Sequence, residues 1–114
     1  MPPENAGKDR IMAVISVNEQ NYQEVIESGK VVLLDFYADW CGHCRRVSPL
    51  VERLAEEHPE YAVGKINVDD EQELAVKFGV MSIPMLAVIK DGELVAKNVG
   101  AIPYEAILDM VQKA

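Results

Sequence analysis

Cys41 and Cys44 are the only cysteines of this 114-residue chain, and two residues separate them. Two sulfurs at this spacing can close a disulfide across one helical turn, bind a metal ion, or lie unreactive in a core. A structural zinc site needs four ligands, and the only histidines available are His43 and His58. A haem-attachment motif needs a histidine directly after the second cysteine, where Arg45 stands. The spacing therefore favours redox chemistry over a metal site, and leaves the metal and unreactive alternatives open with little weight.

Cys41 stands where an apolar run ends and an amphipathic helix is predicted to begin. The positive end of the helix dipole and the free N–H groups favour a thiolate, so we expect the pKa of Cys41 to fall. Cys44 lies one turn further into the helix and is more shielded. We therefore predict that Cys41 is the exposed nucleophile that attacks a substrate disulfide. Cys44 is predicted to attack the resulting mixed disulfide and release the product.

The elements that must position these sulfurs follow from apolar periodicity. Residues 31–38 form a near-continuous apolar run, typical of a central strand covered on both faces. A helix running to about His58 is predicted from one apolar stripe, made of Val47, Leu50, Val51, Leu54 and Ala55. Pro49 lies inside this helix and predicts a kink there, because it lacks a backbone donor.

The remaining chain alternates strand and helix patterns. Strands are predicted over residues 11–17, 61–68, 85–89 and 94–99, with a hairpin turn at Asp91-Gly92 between the last two. Helices are predicted after Asn18 as N-cap, after Asp69 and Asp70 as caps, and from Pro103 onward. The order β-α-β-α-β-α-β-β-α predicts an α/β fold in which a mixed sheet carries helices on both faces.

Composition fits one compact domain and excludes several partners. Hydrophobic residues make up 49% of the chain and charged residues 26%, with a formal net charge of -8. Lys and Arg do not cluster, so neither nucleic acid nor an anionic membrane is an expected partner. Residues 1–10 are interpreted as a flexible tail, and residues 11–17 as a first strand and not a signal peptide. We therefore expect a cytoplasmic protein, in which a close cysteine pair is typically catalytic or metal-binding.

The stretch from Val32 to Cys44, VLLDFYADWCGHC, resembles the active-site strand and turn of the thioredoxin family. The resemblance covers nearly the whole chain, continuing through Pro49, Lys65, Ile83-Pro84, Asp91-Gly92 and Gly100. It implies the family fold over residues 11–114: three α/β/α layers with a central five-stranded mixed sheet and four flanking helices.

The same resemblance implies a function. It is reduction of protein disulfides through the Cys41/Cys44 dithiol, by way of a mixed-disulfide intermediate. The resemblance implies a monomer whose partners are disulfide-containing client proteins and an electron donor such as thioredoxin reductase. No metal and no cofactor beyond the redox-active disulfide is expected.

Asp35 is the single charge in the predicted central strand, and burial there should raise its pKa. The resemblance implies that Asp35 lies below Cys44 and shuttles a proton to or from it, with Lys65 as its modulator. A purely structural ion pair between Asp35 and Lys65 is the alternative, and both roles can hold together.

The resemblance also implies a substrate-docking surface. The Ile83-Pro84 bond is expected to be cis, in a loop that faces the cysteines, with the Ile83 backbone free to pair with an extended substrate. A flat apolar patch around Cys41 is expected from five residues: Trp40, Gly42, Ile83, Gly100 and Ala101.

The dipeptide between the cysteines departs from the common Gly-Pro of thioredoxins. It is Gly42-His43 here, as in protein disulfide isomerase domains. An imidazole close to Cys41 should stabilise its thiolate and the reduced form, which predicts a redox potential less negative than that of a Gly-Pro thioredoxin. A more oxidising isomerase or oxidase is therefore one alternative function. A redox-inert adaptor that binds partners through the patch around Trp40 is another.

Overall fold

The computed structural model describes residues 13–114, so the predicted tail and the first two residues of the predicted first strand lie outside it. The elements of the described residues follow the predicted order. The strands are β1 (Val14–Ser16), β2 (Val32–Tyr37), β3 (Ala62–Asn67), β4 (Met85–Lys90) and β5 (Glu93–Val99). The helices are α1 (Tyr22–Ile26), α2 (Gly42–Glu57), α3 (Gln72–Lys77) and α4 (Tyr104–Gln112).

The strands form one mixed sheet in the order β1-β3-β2-β4-β5. β3 runs parallel to both β1 and β2, whereas β4 runs antiparallel to both β2 and β5. The predicted α/β fold with a five-stranded mixed sheet is therefore confirmed. β2 lies at the centre of the sheet, and its C-terminal end leads into the cysteine turn.

Alternation along β2 divides the core into two layers of side chains, one on each face of the sheet. Leu34 and its neighbours two residues away point to the face that carries Val25 of α1 and Leu74 of α3. Leu33 points to the other face, where it packs with Val51 of α2 and Ile107 of α4. Full burial of such side chains contributes about 1.5–3 kcal/mol each. The three-layer α/β/α arrangement follows from this packing.

The predicted starts of two helices lie slightly ahead of the observed ones, by one residue for α3 and by three for α1. Asn18 was expected to cap α1, yet the N-cap position is Asn21, and the Asn18 carboxamide accepts from the N–H groups of Gln20 (2.9 Å) and Asn21 (3.0 Å). The expected caps of α3, Asp69 and Asp70, precede its N-cap position by one or two residues. Short polar side chains readily bond nearby backbone groups, which builds turns ahead of both helices.

Turn residues occupy the conformations that their types favour. Asp91 and Gly92 both have positive φ, 53° and 79°, as a two-residue hairpin turn requires.

Pro49 lies inside α2, which continues from Gly42 to Glu57. The kink at Pro49 stays a prediction. In the described part of the chain, no helix combines the length and apolar character needed to cross a bilayer.

Candidate active site

Cys41 and Cys44 are joined as a disulfide across the first turn of α2, with their Cα atoms 5.3 Å apart. Cys41 is the N-cap residue, with extended backbone (φ -90°, ψ 111°), and its sulfur accepts from the N–H of Cys44 at 3.2 Å. The N–H of Cys41 in turn donates to the carbonyl of Ala38 (3.2 Å), which closes the turn between β2 and α2. The strand end and the helix start therefore fix the two sulfurs relative to each other.

Both sulfur-bearing side chains are largely covered in this oxidised form. Cys41 is 7% exposed and Cys44 3%. Cys41 was predicted to be the more exposed cysteine, and its exposed fraction is the larger of the two, although the two values are close. Both side chains are covered because the cysteines form a small cluster with Ala38, against which Ile83 lies. Only a small part of the Cys41 side chain is therefore open to solvent in the disulfide form.

Asp35 is fully buried in β2, and neither of its carboxylate oxygens has a hydrogen-bond partner among the described residues. Its backbone neighbours are Lys65 on β3 and Leu86 on β4. Alternation places its side chain on the same face as Leu33, the face covered by α2. Burial raises the pKa of Asp35 to about 7, and the positive charge of Lys65 opposes that rise only in part. An acid with this pKa can accept or release a proton near neutral pH.

Lys65 does not form a direct ion pair with Asp35 in the described structure. Its ammonium donates instead to the hydroxyl of Ser48 on α2, and it lies 4.5 Å from the centroid of the Tyr37 ring. The alternative interpretation, a structural ion pair between Asp35 and Lys65, is therefore not seen as a direct contact. Lys65 acts on Asp35 at a distance, through its charge.

A cleft of about 210 Å³ opens beside Cys44, on the side where Lys65 and Ser48 meet. Its remaining walls come from Tyr37, Ala38, Asp39 and Arg45. Arg45 is held at the rim, where its guanidinium donates to the carbonyl of Asp39 (2.8 Å). The cleft gives solvent a route toward the second sulfur.

The loop before β4 has the predicted cis bond between Ile83 and Pro84. Pro84 is buried, and its carbonyl accepts from the N–H of Gly100 at 2.8 Å, which brings the two predicted docking segments together. Within residues 13–114, no backbone group pairs with the N–H or carbonyl of Ile83. Gly42 and Ala101 are exposed, whereas Gly100 and Ile83 are half-buried.

Trp40 is 68% exposed, and its indole N–H donates to the carboxylate of Asp69 at 2.9 Å. The ring is therefore part of the surface and not of the core. Beside it lies a groove of about 400 Å³, whose other walls are Val68, Ala75, Val80, Met81, Ser82 and Ile83. The predicted patch omitted all of these except Ile83. Met81, which is 95% exposed, could have been suspected from its place just before Ser82-Ile83-Pro84.

His43 is the second residue of α2, and its side chain is exposed. It therefore lies beside the N-terminal end of the helix, where the sulfur of Cys41 also lies.

Within residues 13–114, no three His, Cys, Asp or Glu side chains come together as a metal ion would require.

Comparison with known proteins gives one family. A family model described as "Thioredoxin" matches residues 13–113. The thioredoxin of Bacillus subtilis is 45% identical over 103 residues, which cover 90% of this chain and 98% of that protein. The thioredoxin of Chlamydia pneumoniae is 41% identical, over 85% of this chain and 94% of that protein. Among solved structures, a mutant thioredoxin from Halobacterium salinarum superimposes with a TM-score of 0.82 at 40% identity, covering 88% of each chain.

Proposed function

This chain belongs to the thioredoxin family, and is therefore a thiol-disulfide oxidoreductase that reduces protein disulfides; we propose that Cys41 is its nucleophile and Cys44 its resolving thiol. The observation that carries the proposal is the position of Cys41 at the N-cap of α2, where its sulfur accepts from a backbone N–H. A thiolate there is stabilised by the helix dipole and by that hydrogen bond.

The proposed reaction transfers two electrons from the dithiol to a client disulfide. The Cys41 thiolate attacks one client sulfur, which forms a mixed disulfide and releases the other client sulfur as a thiolate. Cys44 then loses its proton and attacks the Cys41 sulfur. The second client sulfur leaves and takes up a proton, and the Cys41–Cys44 disulfide remains.

We propose that Asp35 takes the proton from Cys44 in the second step. Its carboxyl is buried on the α2 side of the sheet, and its pKa of about 7 suits a base that works near neutral pH. The cleft beside Cys44 supports transfer through water. Lys65 acts as a modulator, since its charge lowers the pKa of Asp35.

Clients are proposed to dock as extended segments. The unpaired N–H and carbonyl of Ile83 can bond a substrate backbone, as in strand addition, beside the covered sulfur of Cys41. The scissile disulfide would be surrounded by four residues of the predicted patch: Trp40, Gly42, Gly100 and Ala101. Pro84 would fix the conformation of the loop. The groove between Trp40 and Met81 would take apolar client side chains.

We propose a cytoplasmic monomer that needs no cofactor beyond its own disulfide and is reduced again by thioredoxin reductase or a similar donor. A reducing compartment keeps such a dithiol reduced and available for clients.

His43 favours a second candidate function. Its imidazole lies beside the N-terminal end of α2, where positive charge stabilises the Cys41 thiolate and hence the reduced dithiol. A more stable dithiol makes the disulfide a stronger oxidant, which suits isomerase or oxidase activity on clients.

The test is reduction of insulin with dithiothreitol as the electron source. We expect the parent to accelerate the reaction and Cys41→Ser to abolish the acceleration. Ser28→Ala, at an exposed position after α1, serves as a control and should match the parent. Equal rates for Cys41→Ser and the parent would favour a redox-inert adaptor.

A further inference from the structure

We propose that Ser48 is a positioning residue, whose hydroxyl holds the Lys65 ammonium away from Asp35 and so preserves the carboxyl as a proton carrier. The inference rests on the proposed function, because it concerns how the proton acceptor for Cys44 is tuned. It extends that function to a residue that takes no part in the exchange of sulfurs.

The Lys65 side chain is held away from a carboxylate that it could reach. Asp35 and Lys65 are direct neighbours across the β2–β3 pair, and neighbouring strands lie about 4.8 Å apart. Both side chains belong to the face that α2 covers, so a lysine could reach the carboxylate. Its ammonium instead donates to Ser48 and lies over the Tyr37 ring at 4.5 Å. The negative face of an aromatic ring adds to the attraction that keeps the ammonium there.

Ser48 is placed and hydrogen-bonded as an acceptor for Lys65. It lies four residues after Cys44 on α2, so both residues occupy one face of the helix. Its hydroxyl donates to the carboxylate of Glu52 at 3.4 Å, which leaves its lone pairs free to accept from Lys65. By accepting the hydroxyl proton, Glu52 leaves the Ser48 oxygen free to act as the acceptor for Lys65.

Asp35 has few titratable or charged neighbours other than Lys65. The titratable side chains near its carboxyl are Lys65 from β3 and Tyr37 from β2 itself, while β4 contributes the apolar Leu86. Cys44 of α2 does not titrate in the oxidised protein, because it is part of the disulfide. Burial raises the pKa of Asp35, and Lys65 is the charge that opposes it. A direct ion pair would favour the ionised carboxylate much more strongly than a lysine held by Ser48. The position of the ammonium therefore decides how readily Asp35 carries a proton near neutral pH.

The test is titration of Asp35 in the oxidised protein, followed by the carbon-13 shift of its carboxyl carbon. In Ser48→Ala the ammonium is released and can swing to Asp35, so we expect the acid dissociation constant of Asp35 to rise about tenfold. Ser48→Thr keeps the hydroxyl and should titrate like the parent. Ser48→Val matches threonine in shape without the hydroxyl, and should behave like Ser48→Ala even if the alanine variant folds poorly.

The background Lys65→Met separates this role from a general packing effect. Without the ammonium, Ser48→Ala should leave the titration of Asp35 unchanged. An unaltered titration in both Ser48→Ala and Ser48→Val would overturn the proposal. So would a rise in the dissociation constant that is equally large in the Lys65→Met background.

Failure of this inference differs from failure of the proposed function. The titration reports on Ser48, Lys65 and Asp35 without any client present. The shuttle role of Asp35 is measured separately, as the rate at which Cys44 resolves a mixed disulfide in Asp35→Asn. An unchanged rate there would remove the shuttle role and leave the titration result intact.

Discussion

The backbone N–H of Cys44 donates to the sulfur of Cys41 at 3.2 Å, so the backbone of the proposed resolving residue holds the sulfur of the proposed nucleophile, which caps the helix. The contact needs Cys41 in extended conformation at the N-cap of α2, and it arises because β2 ends four residues earlier, at Tyr37, and leads into a tight turn. Charge on the Cys41 sulfur is therefore stabilised by the chain fold, before any client or electron donor binds.

One consequence is a different reactivity of the two thiols in the reduced protein. We expect Cys41 to be alkylated by iodoacetamide at a lower pH than Cys44, because only Cys41 has its sulfur at the helix N-terminus. Mass spectrometry of the modified peptides at a series of pH values measures this. Cys44→Ser should leave the profile of Cys41 close to that of the parent. Preferential modification of Cys44 would contradict the assignment.

Burial of Asp35 should make the stability of the oxidised protein depend on pH. Below about pH 4 the carboxyl is protonated in the folded and the unfolded chain alike. Between about pH 4 and the folded pKa of about 7, the unfolded chain ionises first, so the free energy of unfolding falls as pH rises. The decrease in the free energy of unfolding reaches about 4 kcal/mol and then stays constant at higher pH.

Asp35→Asn isolates this effect, because the amide does not titrate. Urea unfolding followed by circular dichroism should show the variant gaining stability relative to the parent as pH rises through that window. Any fixed packing cost of asparagine is the same at every pH and drops out of the comparison. A difference between the two proteins that does not vary with pH would show that Asp35 ionises normally.

The hydrogen bond from Trp40 to Asp69 should matter for docking. Asp69→Ala removes the acceptor that orients the exposed indole, so we expect KM for a client disulfide to rise about 3- to 10-fold with kcat little changed. Asp69→Asn keeps an oxygen acceptor and should remain close to the parent. Equal KM values for the alanine variant and the parent would show that the contact does not position the ring.

His43 should shift the redox potential of the Cys41–Cys44 couple. We expect His43→Pro to make the potential more negative, within the roughly 90 mV that separates thioredoxin from protein disulfide isomerase. Equilibration with glutathione measures the shift. His43→Gln should move the potential in the same direction, whereas His58→Gln, at the other end of α2, should not. An unchanged or less negative potential in His43→Pro would remove the role of the imidazole.

The sequence predicted those parts of the fold that depend on local patterns. β2 is an apolar run interrupted only by Asp35, α2 carries one apolar stripe, and the Asp91-Gly92 pair favours a hairpin turn, so each was located within a residue or two. The start of α1 was wrong because Asn18 and Asn21 are three residues apart and either could cap a helix. The cis bond before Pro84 came from the family resemblance, since most bonds preceding proline are trans.

Contacts between distant segments could not be predicted in this way. Asp69 was interpreted as a helix cap, yet its carboxylate accepts from Trp40, 29 residues earlier. Lys65 lies beside Asp35 in the strand register, but the packing of α2 on the sheet brings Ser48 to its ammonium. Both contacts involve polar side chains with several possible partners, and the choice among partners depends on tertiary packing that periodicity does not encode.

The distinct roles of the two sulfurs are tested most directly by trapping the mixed disulfide. Reduced Cys44→Ser and reduced Cys41→Ser are each mixed with a client disulfide, and the adducts are identified by mass spectrometry. We predict that Cys44→Ser accumulates a stable adduct through Cys41, because nothing remains to resolve it, while Cys41→Ser forms little adduct. A faster or larger adduct through Cys44 in Cys41→Ser would contradict the account.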